Sequence, residues 1–296
     1  MRNRIAWLVA ILAALCAPSA FADGQKLLHS ERSLYREVLV YETGSMRCMC
    51  FTRNCRVGRQ SCLDVRNPDR FVLNYTRMML GSLYLKPQPS TILVIGLGGG
   101  TLPRALSTLV PGATIDAVEI DPAVVKVAQQ YFFFRPSERV RVSETDGRVF
   151  VKRALREGRR YDLIMLDAFD HEYIPEHLLT REFLTEVKTL LTPGGIVAAN
   201  TFSSSGLYDH ESTTYQAVFG SFFNLKSENR VIFASNAPLP DAQSLTETSK
   251  RFVTPFAALG VNAEQIRGLF NTKMDWDPKA RVLTDQYSPA NLLNLK

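Results

Sequence analysis

Hydrophobic and polar residues follow two different patterns, one before and one after Pro89. Residues 34–51 place strand-type apolar residues on both sides of a Gly44-Ser45 turn, which predicts a small β unit. Beyond Pro89, short and nearly continuous apolar segments alternate with segments of helical period. Apolar strands that alternate with helices predict a parallel sheet covered by helices on both faces. The predicted fold class is therefore α/β, preceded by a small N-terminal β unit.

A helix is predicted between these two units. Asn67 and Pro68 offer an N-cap and a first-turn proline, and apolar residues from Phe71 to Leu83 can form one helical face. Later segments predict helices at 208–222 and 242–259 and a strand at 231–234. The expected organisation is a leader at 1–22, a β unit with a cysteine cluster at 23–66 and a main domain at 67–296.

The leader has the composition of a secretory signal peptide. Two arginines precede an apolar run that ends before Pro18, and Ala20 and Ala22 match an A-x-A cleavage site. The alternative is a membrane anchor, but a spanning helix needs about 20 apolar residues and this run is shorter. No later segment is long and apolar enough to span a bilayer. We therefore expect an exported, soluble protein in the periplasm or outside the cell.

Four cysteines follow the leader within a short segment, at Cys48, Cys50, Cys55 and Cys62. In an oxidising compartment an even cluster of this kind predicts two disulfides, and three pairings are open. A zinc site and free thiols are the alternatives, although the spacing lacks the paired C-x-x-C halves of common zinc sites. On each interpretation the cluster fixes the small β unit.

Composition and charge exclude several functional classes. With 46% hydrophobic and 22% charged residues, the chain has enough apolar material for a core and is not disordered. Its 35 basic and 29 acidic residues give a formal charge of +6 without a basic cluster, so no nucleic-acid partner is expected. The histidines, His29, His171, His177 and His210, are dispersed, which predicts loop or surface positions rather than a metal site.

Ligands of an open parallel sheet bind beyond the carboxyl ends of its strands, so the residues that follow each predicted strand matter most. The first strand leads into a glycine-rich turn in which Gly96, Gly98 and Gly100 let the backbone approach a ligand. A dinucleotide fingerprint would need a third glycine at position 101, which is Thr101. The turn therefore favours a site that binds no pyrophosphate.

The next three strand ends each carry a carboxylate. Glu119 stands about twenty residues after the glycines, where a carboxylate can accept hydrogen bonds from ribose hydroxyls. Asp121 precedes a proline and is expected to cap a helix. Asp146-Gly147 could bind an adenine amino group, with a simple Asp-Gly turn as the alternative. Asp167 ends the fourth strand, where it could orient or deprotonate a nucleophile.

In this order, the four elements resemble the spermidine synthase family of polyamine aminopropyltransferases, a branch of the class I AdoMet-dependent transferase fold. The family's GGGDGG loop, EID strand end, DG pair and D-S-S-D-P segment stand here as GLGGGT at 96–101, EID at 119–121, DG at 146–147 and DAFD at 167–170. The resemblance covers about residues 34–202. It implies a Rossmann-like AdoMet-transferase sheet, and a homodimer formed through the N-terminal β unit.

The resemblance also implies the reaction and the roles of the site residues. Aminopropyl transfer from decarboxylated AdoMet to an amine would use Glu119 for the ribose and Asp146 for the adenine, beside Gly147 and the glycine turn. Asp167 would accept the amine proton. No metal is needed, because the sulfonium carries its own leaving group and positioning supplies most of the rate. The residues that would hold the amine substrate are Asp170, Tyr75 and Gln60.

Three positions depart from the family pattern. Gly99 replaces the aspartate of the GGGDGG loop, which predicts that undecarboxylated AdoMet could also enter and makes methyl transfer an alternative activity. Arg77 stands where the family has an acid, so it either repels a polyamine from the pocket or lies on a solvated helix face. The family's proline-threonine-tyrosine segment is replaced by LKSENRVIFAS at 225–235. An exported nucleoside-binding protein without turnover is the remaining alternative.

Overall fold

Two β-sheets, one small and one large, divide the chain. The structure is a computed structural model that describes residues 24–55, 58–168, 174–201, 203 and 205–293. Within those residues, a four-stranded antiparallel sheet is followed by a seven-stranded mixed sheet. The expected leader at 1–22 and the expected substrate residue Asp170 lie outside the described residues.

The small sheet is a meander whose order along the chain is also its order in space. Thr43 pairs with Met46 across the turn, so the hairpin predicted around Gly44-Ser45 is confirmed. The strands are β1 Lys26–Arg32, β2 Glu37–Thr43, β3 Met46–Cys50 and β4 Arg59–Asp64.

Two disulfides fix the small sheet, as predicted. Cys48 and Cys62 lie directly opposite each other on β3 and β4, with Cα atoms 4.1 Å apart, and form the first bond. Cys50 and Cys55 form the second, with Cα atoms 5.4 Å apart. Of the three pairings that the sequence left open, the structure therefore has the one that joins β3 to β4 and closes the loop that follows β3.

A β-bulge on β4 determines which way its side chains face. Cys50 pairs with Arg59 and Met49 pairs with Ser61, so Gln60 is an extra residue in β4 without a partner in β3. A bulge of this kind bends the strand and changes the direction of the side chains that follow it. Gln60 and Ser61 consequently both come to face the large sheet, where the candidate site lies.

The large sheet carries the predicted α/β pattern. Its strands are β5 Thr91–Ile95, β6 Thr114–Glu119, β7 Val140–Glu144, β8 Tyr161–Leu166, β9 Leu191–Thr201, β10 Phe223–Lys226 and β11 Arg230–Ser235. Their spatial order is β10-β11-β9-β8-β5-β6-β7, and β5 to β9 run parallel, which confirms the fold class. In contrast to the parallel sheet expected, β10 and β11 run antiparallel. The loop between them, residues 227–229, is too short for the crossover that a parallel pair requires.

Helices cover both faces of the large sheet, as predicted. They are α1 Asn74–Met79, α2 Ser82–Leu85, α3 Thr101–Leu109, α4 Pro122–Tyr131, α5 Gly147–Arg156, α6 Arg181–Leu190, α7 Tyr208–Phe219, α8 Ala242–Lys250, α9 Val253–Ala258, α10 Ala263–Gly268 and α11 Ala290–Leu293. Buried side chains of α1 to α3 and α8 to α10 form the core on one face, and those of α5 to α7 form it on the other. Within the described residues, no helix combines the length and apolar character needed to cross a membrane.

The small sheet is attached to the large one through α4. Val38 and Val40 of β2 and Met49 of β3 form a buried cluster with Val124 and Val127 of α4. Because α4 directly follows β6, this packing places the small sheet beside the carboxyl ends of the central parallel strands.

The helix expected from Asn67 onward begins only at Asn74, so this predicted boundary is wrong. The N–H group of Asn67 bonds to the C=O of Asp64, and the N–H group of Phe71 bonds to the C=O of Leu259. The backbone of the segment before Asn74 is thus hydrogen-bonded within a turn and to a distant loop. It therefore cannot form the first turns of a helix.

The single helix expected at 242–259 is two helices, α8 and α9, separated by a break after Lys250. Pro255 explains the break. A proline has no N–H group and its ring collides with the carbonyl four residues earlier, here that of Arg251, so one continuous helix cannot pass through this position. The strand predicted at 231–234 and the helix predicted from Tyr208 are both confirmed.

Candidate active site

A cavity of about 240 Å³ lies at the carboxyl ends of the parallel strands, between the large sheet and the small one. This is where an open parallel sheet binds its ligands. The structure brings most of the residues expected from the sequence together here. The expected residues that line the cavity are Gln60, Tyr75, Gly96, Gly98, Glu119, Asp146, Gly147 and Asp167.

Glu119 ends β6 with both carboxylate oxygens bonded to the backbone. Its Oε2 accepts the N–H of Leu97 at 3.1 Å, and its Oε1 accepts the N–H of Asp121 at 3.1 Å. Burial raises the pKa of the Glu119 carboxyl, while the two N–H groups and the charge of Arg36 act in the opposite direction. A carboxylate oxygen can accept more than one hydrogen bond, so both oxygens remain able to accept from a diol in the cavity.

Asp146 is the N-cap of α5 and also faces the cavity. Its Oδ1 accepts the N–H groups of Arg148 and Val149 at 2.9 Å, which is the turn that the sequence left as the alternative. Its Oδ2 lies 2.8 Å from Nε2 of His177. The bond from His177 is the main cause that holds the pKa of Asp146 below its ordinary value. One carboxylate oxygen of Asp146 therefore caps the helix, and the other faces the cavity.

His177 lies in an exposed surface turn, as predicted, and its side chain also lines the cavity. The residue belongs to a 3₁₀ turn, Glu176–Leu178. This turn lies over the end of the cavity where Asp146 is expected to bind adenine. Since a carboxylate only accepts, the Nε2 atom of His177 carries the proton in this bond. No local sequence signal predicts this pair, because only the tertiary fold brings Asp146 and His177 together.

Asp167 follows β8 and is held by two side chains. Asn200 donates to its Oδ1 at 3.1 Å, and the Tyr75 hydroxyl also donates to the carboxylate. The pKa of Asp167 is raised to about 7, mainly by burial and to a smaller extent by the charge of Glu119, while the two hydrogen bonds act in the opposite direction. Burial together with the Asp167 charge also raises the pKa of Tyr75 well above its ordinary value. Asn200 is a site residue that the sequence did not reveal.

Gly96 is required for the close approach of β5 to the residue after β8. Its φ of +97° is a conformation that favours glycine, and a Cβ at this position would lie 2.1 Å from the backbone oxygen of Asp167. The glycine thus lets the backbone at Asp167 sit directly beside the glycine turn.

Gly100, which was expected to bind the cofactor, is not among the residues that line the cavity. It caps α3 with a φ of +74°, and a Cβ there would lie 2.6 Å from Cδ2 of Phe134. Gly99 is equally confined, since its Cβ would lie 2.8 Å from Cδ1 of Phe132. The second half of the glycine turn therefore allows close packing on buried phenylalanines, and only Gly96 and Gly98 face the cavity.

The small sheet supplies the opposite wall, which includes residues that the sequence did not single out. Arg36 is half-buried, and its Cζ lies 4.3 Å from the centre of the Phe51 ring. The preceding turn is anchored by Ser33, whose hydroxyl donates to Oδ2 of Asp121 at 2.6 Å. Asp121 also caps α4, as predicted, by accepting the N–H of Ala123 at 3.0 Å.

Arg77 does not enter the cavity. Its Nε and Nη2 atoms donate to the C=O of Phe71 at 3.2 and 2.7 Å. Arg77 therefore does not have the placement in which it would repel a polyamine from the pocket. In the part of the chain that the structure describes, no three His, Cys, Asp or Glu side chains are grouped to share a metal ion.

The chain is similar to known proteins over nearly its whole length. The family model described as the spermine/spermidine synthase domain matches residues 73–231. A protein named polyamine aminopropyltransferase, from Vibrio vulnificus (strain CMCP6), is 46% identical over 298 residues, which cover 98% of this chain and 99% of that relative.

Two solved structures are similar to the fold described above. A spermidine synthase in complex with the transition state analogue AdoDATO has a TM-score of 0.60 at 20% identity. The match covers 83% of this chain and 84% of that one, and it shows that the two proteins share a fold. Human methyltransferase-like protein 13, solved in complex with SAH, has a TM-score of 0.51 at 29% identity. That match covers 69% of this chain and 93% of the human protein chain.

Proposed function

The chain belongs to the spermine/spermidine synthase family, and we propose that it transfers an aminopropyl group from decarboxylated AdoMet to an amine acceptor. Similarity over nearly the whole chain to a protein named polyamine aminopropyltransferase supports this activity. The cavity supports it independently, because Glu119, Asp146 and Asp167 meet there at successive strand ends. The products would be a longer polyamine and methylthioadenosine.

The cavity suits the adenosine part of the donor. We assign the ribose hydroxyls to Glu119, whose two oxygens both accept, and the adenine amino group to the Oδ2 side of Asp146. Apolar side chains of Ile95, Val118 and Leu178 provide walls for the flat base. A sulfonium is a cation, and the carboxylates around the cavity attract it.

In the proposed transfer, the amine lone pair forms a C–N bond to the propyl carbon next to sulfur. The C–S bond breaks at the same time, and its electron pair stays on sulfur, which becomes a neutral thioether. The amine gives up one proton, and Asp167 is the group that we assign to accept it. Tyr75 and Asn200 hold the Asp167 carboxylate in one orientation for this step.

The environment of Asp167 carries this proposal. A free amine acceptor is mostly protonated at neutral pH, because its unperturbed pKa is near 10. An ordinary aspartate is a weak base toward such a group, whereas a buried carboxyl with a pKa of about 7 binds a proton more strongly. The burial that raises this pKa comes from the same packing that forms the cavity.

Product analysis tests the proposed activity. Purified protein is incubated with decarboxylated AdoMet and a series of α,ω-diamines of different length, and the nucleoside and amine products are identified by mass spectrometry. We expect methylthioadenosine and the aminopropylated diamine in equal amounts. Formation of neither product with any diamine would refute aminopropyl transfer.

Methyl transfer from AdoMet is a second candidate, supported by the similarity to human methyltransferase-like protein 13, which was solved in complex with SAH. The same incubation with AdoMet in place of the decarboxylated donor distinguishes the two activities. S-adenosylhomocysteine would be the nucleoside product of methyl transfer, and methylthioadenosine is the product of aminopropyl transfer. Binding of a nucleoside without either product would leave the nucleoside-binding protein as the remaining function.

Export and homodimer formation belong to this proposal as well. The two disulfides of the small sheet support an oxidising compartment such as the periplasm. Leu27 on the edge strand β1 is exposed, as is Leu34 in the turn that follows β1, and a dimer formed through the small sheet would cover such apolar side chains. Detection of processed chains in a periplasmic extract and the mass of the purified protein in solution test these two points.

A further inference from the structure

Behind the main cavity lies a second, smaller cavity, which we call the Ser61 chamber. Its volume of about 10 Å³ is enough for one water-sized group. Tyr75 and Asp167 line both cavities, so the chamber adjoins the reacting end of the site. The remaining polar residues of its wall are Ser61, Thr76 and Thr101.

The charges around the chamber favour a cation. Asp167 supplies a carboxylate, and no lysine, arginine or histidine is among the described residues that line the chamber. Arg77 of α1 and Arg104 of α3 belong to the bordering helices, but both donate to backbone carbonyl groups elsewhere. The N-terminus of α3 at Thr101 adds about half a positive charge, which is smaller than the full charge of an ionised carboxylate.

Ser61 adds a second oxygen that can face a ligand. Its side chain is only 7% exposed, and its Oγ accepts the N–H of Gly99 at 2.7 Å. In the described part of the chain its hydroxyl proton has no acceptor, and a hydroxyl oxygen has a second lone pair. The neighbouring Thr76 hydroxyl already donates to the C=O of Leu73 at 2.8 Å. Thr101 is only partly buried, so Ser61 is the buried hydroxyl of the chamber that can respond to a ligand.

Position 99 cannot supply a competing side chain. A Cβ on Gly99 would lie 2.8 Å from Cδ1 of Phe132 and 3.0 Å from Cβ of Ser61, so the space in that direction is filled. The lack of a side chain at Gly99 consequently creates no extra room for a carboxylate. The chamber itself is also too small for a carbon that carries both an ammonium and a carboxylate.

We propose that Ser61 determines donor specificity: together with Asp167 it holds the terminal ammonium of the aminopropyl group in the Ser61 chamber, and the chamber excludes donors with a carboxylate on the same carbon. This inference rests on the proposed function. Ser61 and Asp167 then bind the reactive end of the donor, although the glycine turn of this chain has no charged side chain.

Calorimetric titration with two nucleosides tests the role of Ser61. Decarboxylated AdoMet carries the aminopropyl ammonium, whereas methylthioadenosine shares the adenosine and sulfur but lacks it. Ser61→Ala should weaken the binding of decarboxylated AdoMet by about 10-fold, because a hydrogen bond to a charged group is lost. The affinity for methylthioadenosine should change by less than about 2-fold, because this nucleoside has no ammonium. Ser61→Thr keeps the hydroxyl and should keep the ratio of the two affinities.

The control is Ser45→Ala, which makes the same chemical change in the hairpin turn of the small sheet and should alter neither affinity. Equal weakening of both nucleosides by Ser61→Ala would overturn the proposal, since Ser61 would then only hold the glycine turn. Unchanged affinity for both would overturn it as well. Failure of the proposed function looks different, because the wild-type protein would then form no methylthioadenosine with any amine.

Discussion

The two walls of the cavity differ in how their residues are held. On the large sheet, Glu119 and Asp146 are fixed by backbone N–H groups, and Asp167 is fixed by neighbouring side chains. On the small sheet, Arg36 and Gln60 depend on a bulge, a turn and two disulfides. The first wall supplies the charges that the chemistry needs, and the second covers them. We conclude that changes in the first should affect turnover and nucleoside affinity most, and that changes in the second should mainly affect placement.

The largest effect is expected from Asp167→Asn. An amide of the same shape cannot accept the amine proton, so turnover should fall by about 100-fold to 10,000-fold. The affinity for methylthioadenosine should change little, because the adenosine contacts remain. Steady-state rates and calorimetry measure the two quantities. Asp241→Asn is the control, since asparagine keeps the exposed N-cap of α8. Turnover within about threefold of wild type would show that Asp167 is not the base.

A smaller effect is expected from Glu119→Ala. Loss of hydrogen bonds to a charged carboxylate should weaken nucleoside binding by about 10-fold to 100-fold. Glu144 is a matched control, because it pairs with Glu119 in register at the end of β7 and its side chain is exposed. Equal losses of affinity in Glu119→Ala and Glu144→Ala would mean that the ribose is not held by Glu119.

The second wall should respond more weakly, through placement. Replacement of Cys48 and Cys62 by serine opens a closed loop whose ends are 14 residues apart, a constraint that contributes on the order of 3 kcal/mol to stability. We expect the KM for the donor to rise on the order of 3-fold to 10-fold as Gln60 and Ser61 lose their fixed position, with kcat changed less. Denaturant unfolding and steady-state kinetics measure both effects. An unchanged KM in a clearly destabilised variant would show that the small sheet does not position the site.

The smallest effect is expected on the pH dependence, from Tyr75→Phe. Asp167 must be ionised to accept a proton, so activity should fall as the pH drops through about 7. The Tyr75 hydroxyl lowers the pKa of Asp167, and its removal should therefore move this acidic limb to higher pH, by up to about one unit. An acceptor amine with a different pKa is the control, because a limb that belongs to Asp167 will not move with the amine. A limb that stays in place in Tyr75→Phe would contradict the assignment.

The same contrast explains what the sequence could predict. The order of glycine turn, Glu119, Asp146 and Asp167 identified the first wall, because the carboxyl ends of parallel strands always meet at one edge of the sheet. Cysteine spacing predicted the two disulfides but not their pairing, which depends on the register of β3 and β4. Arg36, His177 and Asn200 have no local signal, since only tertiary packing brings the first two to the cavity and the third to Asp167.

The prediction of secondary structure from the sequence is wrong where a contact with a distant part of the chain replaces a local hydrogen bond. The helix expected from Asn67 starts later because the backbone at Phe71 bonds to Leu259, and that contact is invisible in a local pattern. The break before α9 has a local signal, because Pro255 lies in the interior of the expected helix and one continuous helix cannot pass through it.

Calorimetric titration of the oxidised, wild-type protein with decarboxylated AdoMet, AdoMet and methylthioadenosine tests the central claim most directly. The proposed binding of the aminopropyl ammonium beside Asp167 predicts that decarboxylated AdoMet binds at least about tenfold more tightly than AdoMet. Equal or tighter binding of AdoMet would contradict the account and would favour methyl transfer instead.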